Sequence, residues 1–289
     1  MANYIQQHKK NFSFKEFVQN ALQEDVGDGD HSALATIPAD KKGKCRLIVK
    51  ENGIIAGIEA AKEIFKLIDP KFKFTVLIND GTPVKTGDIA FTVEGNTQKL
   101  LTAERLVLNV MQRMSAIATK TNYLQGLCKG TKTKVIDTRK TTPNFRFFEK
   151  WAVVIGGGAN HRYGLYDMIM IKDNHIDFAG GIIEALDATH AYLKKTKRKL
   201  PIEVETRTIE DVKLLLKKGG FQRIMLDNYT VADTKKAVAL INGAFEVESS
   251  GGITEKTIAA YAKCGVDFIS VGALTHHVKS LDLSLKAIK

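Results

Sequence analysis

Ile202-Glu203-Val204-Glu205, Arg223-Ile224-Met225-Leu226-Asp227, Phe245-Glu246-Val247-Glu248-Ser249 and Phe268-Ile269-Ser270-Val271-Gly272 are short β-rich runs that recur about every 22 residues. Between them, 209–217, 231–241 and 255–263 carry apolar residues at helical spacing. Two earlier β-rich runs, 134–137 and 168–172, and a helical segment at 184–193 extend the series toward the N-terminus. A strand followed by a helix, repeated six times, predicts a parallel β/α barrel, complete or partial, rather than an open dinucleotide-binding sheet.

The residues before this series have a different rhythm. Ser13-Phe14-Lys15-Glu16 is a capping box opening a helix with apolar Phe14, Phe17, Val18, Ala21 and Leu22 on one face. Strand-like segments follow at 45–50, 72–78 and 89–93, punctuated by Asn52-Gly53, Asp80-Gly81 and Gly87-Asp88, with a helix at 60–68 stopped by Pro70. Residues 1 to about 110 therefore read as a small α+β domain. The stretch 81–88 has a weak likeness to a biotinyl half-domain, but no lysine sits in the hairpin context, so a structural meander is expected. A long helix is expected over 102–127. It is apolar nearly all round, which predicts burial, yet Arg105, Asn109 and Gln112 form one polar stripe along it. A buried arginine needs an anion, supplied either by a ligand or by a neighbour such as Glu104.

Composition narrows the class. The chain has 289 residues, 44% hydrophobic and 26% charged, within the globular range. No apolar run reaches membrane-spanning length, and the first residues lack the apolar core of a signal peptide. Three widely spaced cysteines, Cys45, Cys128 and Cys264, suggest neither a disulfide framework nor a CxxC site, and a reducing cytoplasm is expected. The net charge of +11 suits a phosphorylated substrate or a nucleic acid. Dispersed lysines and 8% aromatics argue against nucleic acid, and 194–199 reads as a solvated loop after a helix. The acidic run 24–30 has no glutamate at the twelfth position of a calcium loop and is read as a helix-ending loop with an interface role.

The chemistry concentrates where the strands end. In order the endings are Asp137-Thr138-Arg139-Lys140, Lys172-Asp173-Asn174-His175, Glu205, Asp227-Asn228, Ser249-Ser250-Gly251-Gly252 and Gly272. That is the face on which parallel barrels build their sites. Ser250-Gly251-Gly252 ahead of a helix and Val271-Gly272-Ala273 beside it suit a phosphate, held by backbone N–H groups at a helix N-terminus. Glu205 and Asp227, on neighbouring strands, suit sugar hydroxyls or Mg²⁺. Pairing with Lys140 or Lys172 is the structural alternative. Arg139, Lys140, His161, Arg162 and Lys172 supply the cationic counterpart. Gly156-Gly157-Gly158 implies flexibility or close ligand approach.

Taken together, Thr102-Ala103-Glu104-Arg105, Asp137 to Pro143, Gly156 to Leu165, Ile171 to His175, Glu203-Val204-Glu205, Leu226-Asp227-Asn228 and Ser250 to Ile253 resemble the quinolinate phosphoribosyltransferases, collinearly from Glu24 to Asp282. The resemblance implies transfer from phosphoribosyl pyrophosphate to quinolinate with loss of CO2, using Mg²⁺. The product is nicotinate mononucleotide, made for NAD biosynthesis. It implies an N-terminal α/β sandwich (1–112, joined by 275–289) and a partial parallel β/α barrel (113–274), with the C-terminal segment returning to the N-terminal domain. It also implies a homodimer in which Arg105 reaches the partner's substrate. Arg139, His161, Arg162 and Lys172 would hold the two carboxylates. Thr138 and Lys140 would serve the substrate pocket. Glu205 and Asp227 would meet ribose hydroxyls and metal, and Ser250, Gly251, Gly252, Val271, Gly272 and Ala273 the 5′-phosphate. Lys140, Lys172, Glu205 and Asp227 are the catalytic candidates. Asn144 stands where the family usually has glycine, and asparagine tolerates positive φ. A non-decarboxylating nicotinate enzyme is the nearest rival; the full cationic set favours the dicarboxylate. A Schiff-base lysine is disfavoured because neither candidate lies in an apolar pocket.

Overall fold

Ser13 caps its helix as the sequence predicts, its Oγ accepting the Glu16 N–H at 3.3 Å. In the computed structural model, which describes residues 2–8 and 10–288, the first helices are α1 (Ala2–His8), α2 (Phe14–Asp25) and α3 (His31–Thr36). The acidic run between α2 and α3 ends one helix and caps the next, with Asp30 Oδ1 accepting the Ala33 N–H at 3.0 Å. There follow β1 (Lys42–Val49), β2 (Gly53–Ile54), α4 (Ile58–Ile68), β3 (Lys73–Val76), β4 (Pro83–Val84), β5 (Ile89–Asn96) and α5 (Thr97–Leu127). Residues 81–88 form a meander, with β4 antiparallel to β2. Gly57, at φ 98, starts α4, and the buried Asp80 carboxylate accepts the Ile58 and Glu59 N–H groups. Phe65 of α4 meets Phe91 of β5, and Phe74 of β3 lies 4.4 Å from Phe91, centroid to centroid.

The β/α series then runs β6 (Lys134–Ile136), α6 (Arg146–Ile155), β7 (Ile169–Ile171), α7 (Asp173–Ala179), α8 (Ile182–Thr196), β8 (Ile202–Thr206), α9 (Ile209–Lys218), β9 (Arg223–Asp227), α10 (Val231–Ile241), β10 (Glu246–Ser250), α11 (Ile258–Ala262), β11 (Phe268–Ser270) and α12 (Ala273–His276), and the last strand is β12 (Leu283–Ala287). The chain forms two compact units.

The first unit holds the residues up to Asn122, the segment Thr141–Gly157 and the residues from Leu274 on. Its four-stranded sheet has the order β12-β1-β5-β3, with β12 antiparallel to β1. The expected break at 112/113 therefore moves. α5 continues in the first unit to Asn122, and α6 belongs there because its aromatic residues complete a cluster with the N-terminal helices. Phe12 stacks on Phe147 at 4.1 Å, Tyr4 stacks on Trp151, and Phe17 contacts Phe148. Gly156 ends α6 against α5; a Cβ there would sit 2.5 Å from the Ala118 carbonyl oxygen. Close helix approach, rather than ligand approach, accounts for that glycine.

The second unit, Tyr123–Lys140 with Gly158–Ala273, is built on a six-stranded parallel sheet of order β6-β11-β10-β9-β8-β7. The outer strands β6 and β7 are not paired with each other; a single bridge, Ile136 to Ala159, continues the sheet past β6. This is the partial barrel. The register aligns Glu205 with Met225, Met225 with Glu248 and Glu248 with Phe268, so Glu203, Glu205, Arg223, Asp227, Glu248, Ser250 and Ser270 share one face. The alternate residues, such as Val204, Ile224, Leu226 and Ile269, form the apolar side.

Candidate active site

Asp137, fully buried just past β6, joins two of the sequence motifs. Its Oδ1 accepts the His161 N–H at 2.9 Å and its Oδ2 the Asn160 side-chain amide at 2.6 Å. Thr138 Oγ1 accepts the Lys140 N–H at 3.0 Å, a local turn that leaves Arg139 and Lys140 exposed beyond the strand end. Asp167 holds the next loop by accepting the Tyr163 and Gly164 amides. The half-buried Arg162 donates from Nη1 to the Met168 carbonyl at 3.2 Å. Burial first and the charge of Arg139 second lower the Arg162 pKa, with Glu203 and Asp167 opposing them. An anion placed between these two arginines would relieve their mutual repulsion.

Lys172 ends β7, where His175 Nδ1 accepts its N–H at 2.9 Å. The next amide, Asp173 N–H, donates to Glu205 at 3.3 Å, tying the end of β7 to β8. Glu205 is buried, and its pKa is raised by burial and by Asp227, against Lys172 and the Asp173 hydrogen bond. The expected proximity of Glu205, Asp227 and Lys172 is therefore present. Asn228 Nδ2 donates to Asp227 Oδ2 at 2.6 Å. Asn228 itself sits at φ 58 and donates its backbone N–H to Ser250 O at 2.9 Å.

Gly251 and Gly252 follow at φ 87 and 60. A Cβ on Gly251 would lie 2.2 Å from Asn228 Oδ1 and 2.8 Å from the Asn228 backbone N, so this glycine is required by the neighbouring strand end. The expectation that this loop leads directly into a helix is corrected: α11 begins only at Ile258, after the turn Thr254–Thr257. Any anion here would meet loop amides, not a helix N-terminus. Val271 donates its N–H to Ile136 O, and Gly272 and Ala273 lead into α12 beside the ends of β6 and β10.

Two expectations change. Arg105 is exposed on α5, as is Asn109, and among the described residues Arg105 forms no ion pair, with Glu104 or with any other acid. Apolar neighbours of the helix fill the buried side without it. His161, expected among the carboxylate ligands, has both ring nitrogens facing protein groups. Nδ1 accepts the Arg162 N–H at 2.6 Å, while Nε2 lies 2.9 Å from Glu203 and 3.4 Å from Glu248. Asn144 adopts φ 61, the conformation for which glycine or asparagine is suited.

The sequence reading passed over the charged layer beneath the strand ends. Glu203 and Glu248 have no exposed surface, and Arg223 bridges Glu248 at 3.3 Å and Glu246 at 3.0 Å while lying over the Phe268 ring. Burial and Glu248 push the Glu203 carboxyl up to about 7, whereas His161, Ser270 and Arg223 offset burial and hold Glu248 low. Burial works against a charged His161, while the two glutamates pull its pKa upward. The Arg162 amide pointing at Nδ1 opposes the second proton, which fixes the first on Nε2. Alternation at period 2 in Ile202-Glu203-Val204-Glu205 and Glu246-Val247-Glu248 was the available signal. Glu149 was also missed. Fully buried in the first unit, it accepts from Arg113 Nε and Nη2 and from the Thr142 N–H and hydroxyl, anchoring the start of the 141–157 segment.

Family models for the quinolinate phosphoribosyl transferase N-terminal and C-terminal domains match residues 30–115 and 117–286. The chain belongs to the quinolinate phosphoribosyltransferase family. It is 46% identical to a protein of Nicotiana glauca named quinolinate phosphoribosyltransferase [decarboxylating] 2, mitochondrial, over 95% of this chain and 82% of that one. It is 47% identical to a chloroplastic nicotinate-nucleotide pyrophosphorylase [carboxylating] of Oryza sativa subsp. japonica, over 95% and 78% of the two chains. Among solved structures of the family, NadC from Streptococcus pyogenes superposes with a TM-score of 0.89 at 36% identity, covering 96% of this chain and 97% of that one.

Proposed function

We propose that this chain catalyses the decarboxylating transfer carried by its family, converting quinolinate and phosphoribosyl pyrophosphate to nicotinate mononucleotide, pyrophosphate and CO2 at the strand ends of the second unit. One observation carries the residue assignment. Cations at the ends of β6 and β7 stand with acids at the ends of β8 and β9 and a double-glycine loop after β10. Arg139 and Arg162 suit bidentate binding of the two carboxylates, with Lys172 as a third charge. Thr138 and Lys140 border the same pocket. Loop amides of Ser250, Gly251, Gly252, Val271, Gly272 and Ala273 hold the 5′-phosphate.

The pyridine nitrogen attacks ribose C1 as the bond to pyrophosphate breaks. The carbanion left by CO2 loss next to the cationic ring nitrogen then takes a proton. No protein nucleophile is needed, so Arg139, Arg162, Lys172 and Lys140 act by positioning and charge. Glu205 and Asp227 fit Mg²⁺: Asp227 adds to the raised proton affinity of Glu205, a repulsion that a shared cation relieves. Bound there, Mg²⁺ would neutralise charge on the pyrophosphate, while the two acids orient the ribose hydroxyls.

The proposal includes a homodimer in which the exposed Arg105 serves the partner's pocket. Mixing inactive Arg105→Ala and Lys172→Ala proteins should restore about a quarter of normal activity, because half the dimers then carry one intact site. It includes a cytoplasmic location, supported by three free cysteines, although plant relatives are named mitochondrial or chloroplastic. No described helix is long and apolar enough to cross a membrane. Cell fractionation tests the location. The reaction is tested by supplying quinolinate, phosphoribosyl pyrophosphate and Mg²⁺ and following CO2 and pyrophosphate together. Equal release supports the proposal, and pyrophosphate without CO2 replaces it with the non-decarboxylating reaction. Chelating the metal should stop both products.

A further inference from the structure

His161 sits between the Arg139–Arg162 pair and a fully buried acidic layer. Each of its own polar atoms faces a protein group. Its backbone N–H goes to Asp137, its Nδ1 takes the Arg162 N–H, and its Nε2 faces Glu203 and Glu248. A histidine can accept at Nδ1 only if that nitrogen carries no proton, so the ring proton lies on Nε2, between two carboxylates. To turn either nitrogen toward a ligand, the ring must withdraw from a buried carboxylate or from a backbone amide.

The cluster has a second possible use, since His161, Glu203 and Glu248 present ligand atoms within 4.8 Å of one another. The spacing of 2.9 Å between Nε2 and Glu203 is that of a direct ion pair, and Arg223 already compensates Glu248 at 3.3 Å.

We infer that His161 is a positioning residue rather than a substrate ligand: Glu203 and Glu248 hold its Nε2, which turns Nδ1 onto the Arg162 amide and sets that arginine for the substrate's carboxylate. The inference rests on the assignment of Arg162 to the substrate pocket. Arg162 is then fixed at two points, its amide by the imidazole and its guanidinium by the Met168 carbonyl. Asp137 fixes the two residues before it. The guanidinium is thereby preorganised, and binding the dicarboxylate costs little further ordering.

Two measurements test this. In protein labelled with ¹⁵N in its histidine rings, the His161 signals are assigned by their loss in His161→Asn. Wild-type His161 should carry its proton on Nε2 alone, before and after saturation with quinolinate. Protonation of Nδ1 on adding quinolinate would overturn the inference, because the ring would then be facing the substrate. The second measurement compares His161→Asn, whose side-chain oxygen can replace Nδ1 as acceptor for the Arg162 amide, with His161→Ala. The quinolinate KM should stay within about threefold of normal in His161→Asn and rise at least about tenfold in His161→Ala, with the KM for phosphoribosyl pyrophosphate little changed in both. Equal loss in the two variants sinks the inference. If His161→Ala does not fold, the ring-proton measurement on the wild type decides alone. Arg162→Ala separates the two levels: an unchanged quinolinate KM there refutes the pocket assignment itself, whereas a raised one leaves the His161 result to be judged by itself.

Discussion

Gly251→Ala tests whether the double-glycine loop is set by the strand end beside it. At φ 87 an alanine is in the left-handed region, which costs about 1–2 kcal/mol. Its Cβ would also fall 2.2 Å from Asn228 Oδ1 and 2.8 Å from the Asn228 backbone N. The side chain can rotate away, but the backbone N is held by its hydrogen bond to Ser250 O, so the strand ends must shift. Overpacking of this kind adds about 1–3 kcal/mol, giving roughly 2–5 kcal/mol in all. Gly252→Ala is the control: its φ of 60 carries the same left-handed cost, but a Cβ there meets nothing within 4 Å, so about 1–2 kcal/mol is expected. Urea unfolding followed by far-ultraviolet circular dichroism measures both, because the single Trp151 reports on the other unit. The displaced Asn228 should also release Asp227 and raise the KM for phosphoribosyl pyrophosphate in Gly251→Ala more than in Gly252→Ala. If the two variants match in stability and in that KM, the close approach at Asn228 has no energetic weight and the reasoning fails.

Three further outcomes are expected. Arg139→Ala and Lys172→Ala should each lower kcat/KM for quinolinate about a hundredfold, roughly 2.7 kcal/mol, in protein with an unchanged circular dichroism spectrum; near-normal turnover in either would count against the pocket. Glu149→Ala should destabilise the first unit by about 3–5 kcal/mol, because Arg113 loses its buried carboxylate. Trp151 fluorescence during urea unfolding would register this, and an unshifted midpoint would contradict it. The Tyr229 phenol is pushed up to about 12, by burial first and against its hydrogen bond to Thr206. The unfolded chain therefore releases this proton first, and stability present below pH 10 should fall as the pH rises toward 12, by up to about 2.7 kcal/mol. Tyr229→Phe should lack that part of the slope, and an identical slope would show that another group is responsible.

The βα alternation was legible because buried parallel strands read as apolar runs, and each ended in a polar or glycine residue that the fold brings to one end of the sheet. The helix α5 begins five residues earlier than its apolar pattern, since Thr97-Gln98-Lys99 carry no periodic signal. The grouping of 141–157 with the first unit depends on Phe147, Phe148 and Trp151 finding Phe12, Phe17 and Tyr4, a long-range choice that local spacing does not encode. At the site, residue types announced the cations and acids at the strand ends. Period 2 could place Glu203 and Glu248 on the same face, but not turn the His161 ring, which depends on the Asp137 and Arg162 backbone contacts. The burial expected for Arg105 failed because a helix that is mostly apolar still has an outer side.

The pairing of β12 with β1 sets an order of events for the newborn chain. Cys45 finds its neighbour Ala287 only after the whole β/α series has been synthesised. Until then β1 has an open edge on the side β12 will occupy, with unpaired backbone groups that can recruit another strand. The second unit needs no residue beyond Ala273 and can complete its sheet earlier. Maturation is therefore expected to run from the later unit to the earlier one, against the usual direction of synthesis, and to depend on protection of that edge in the meantime.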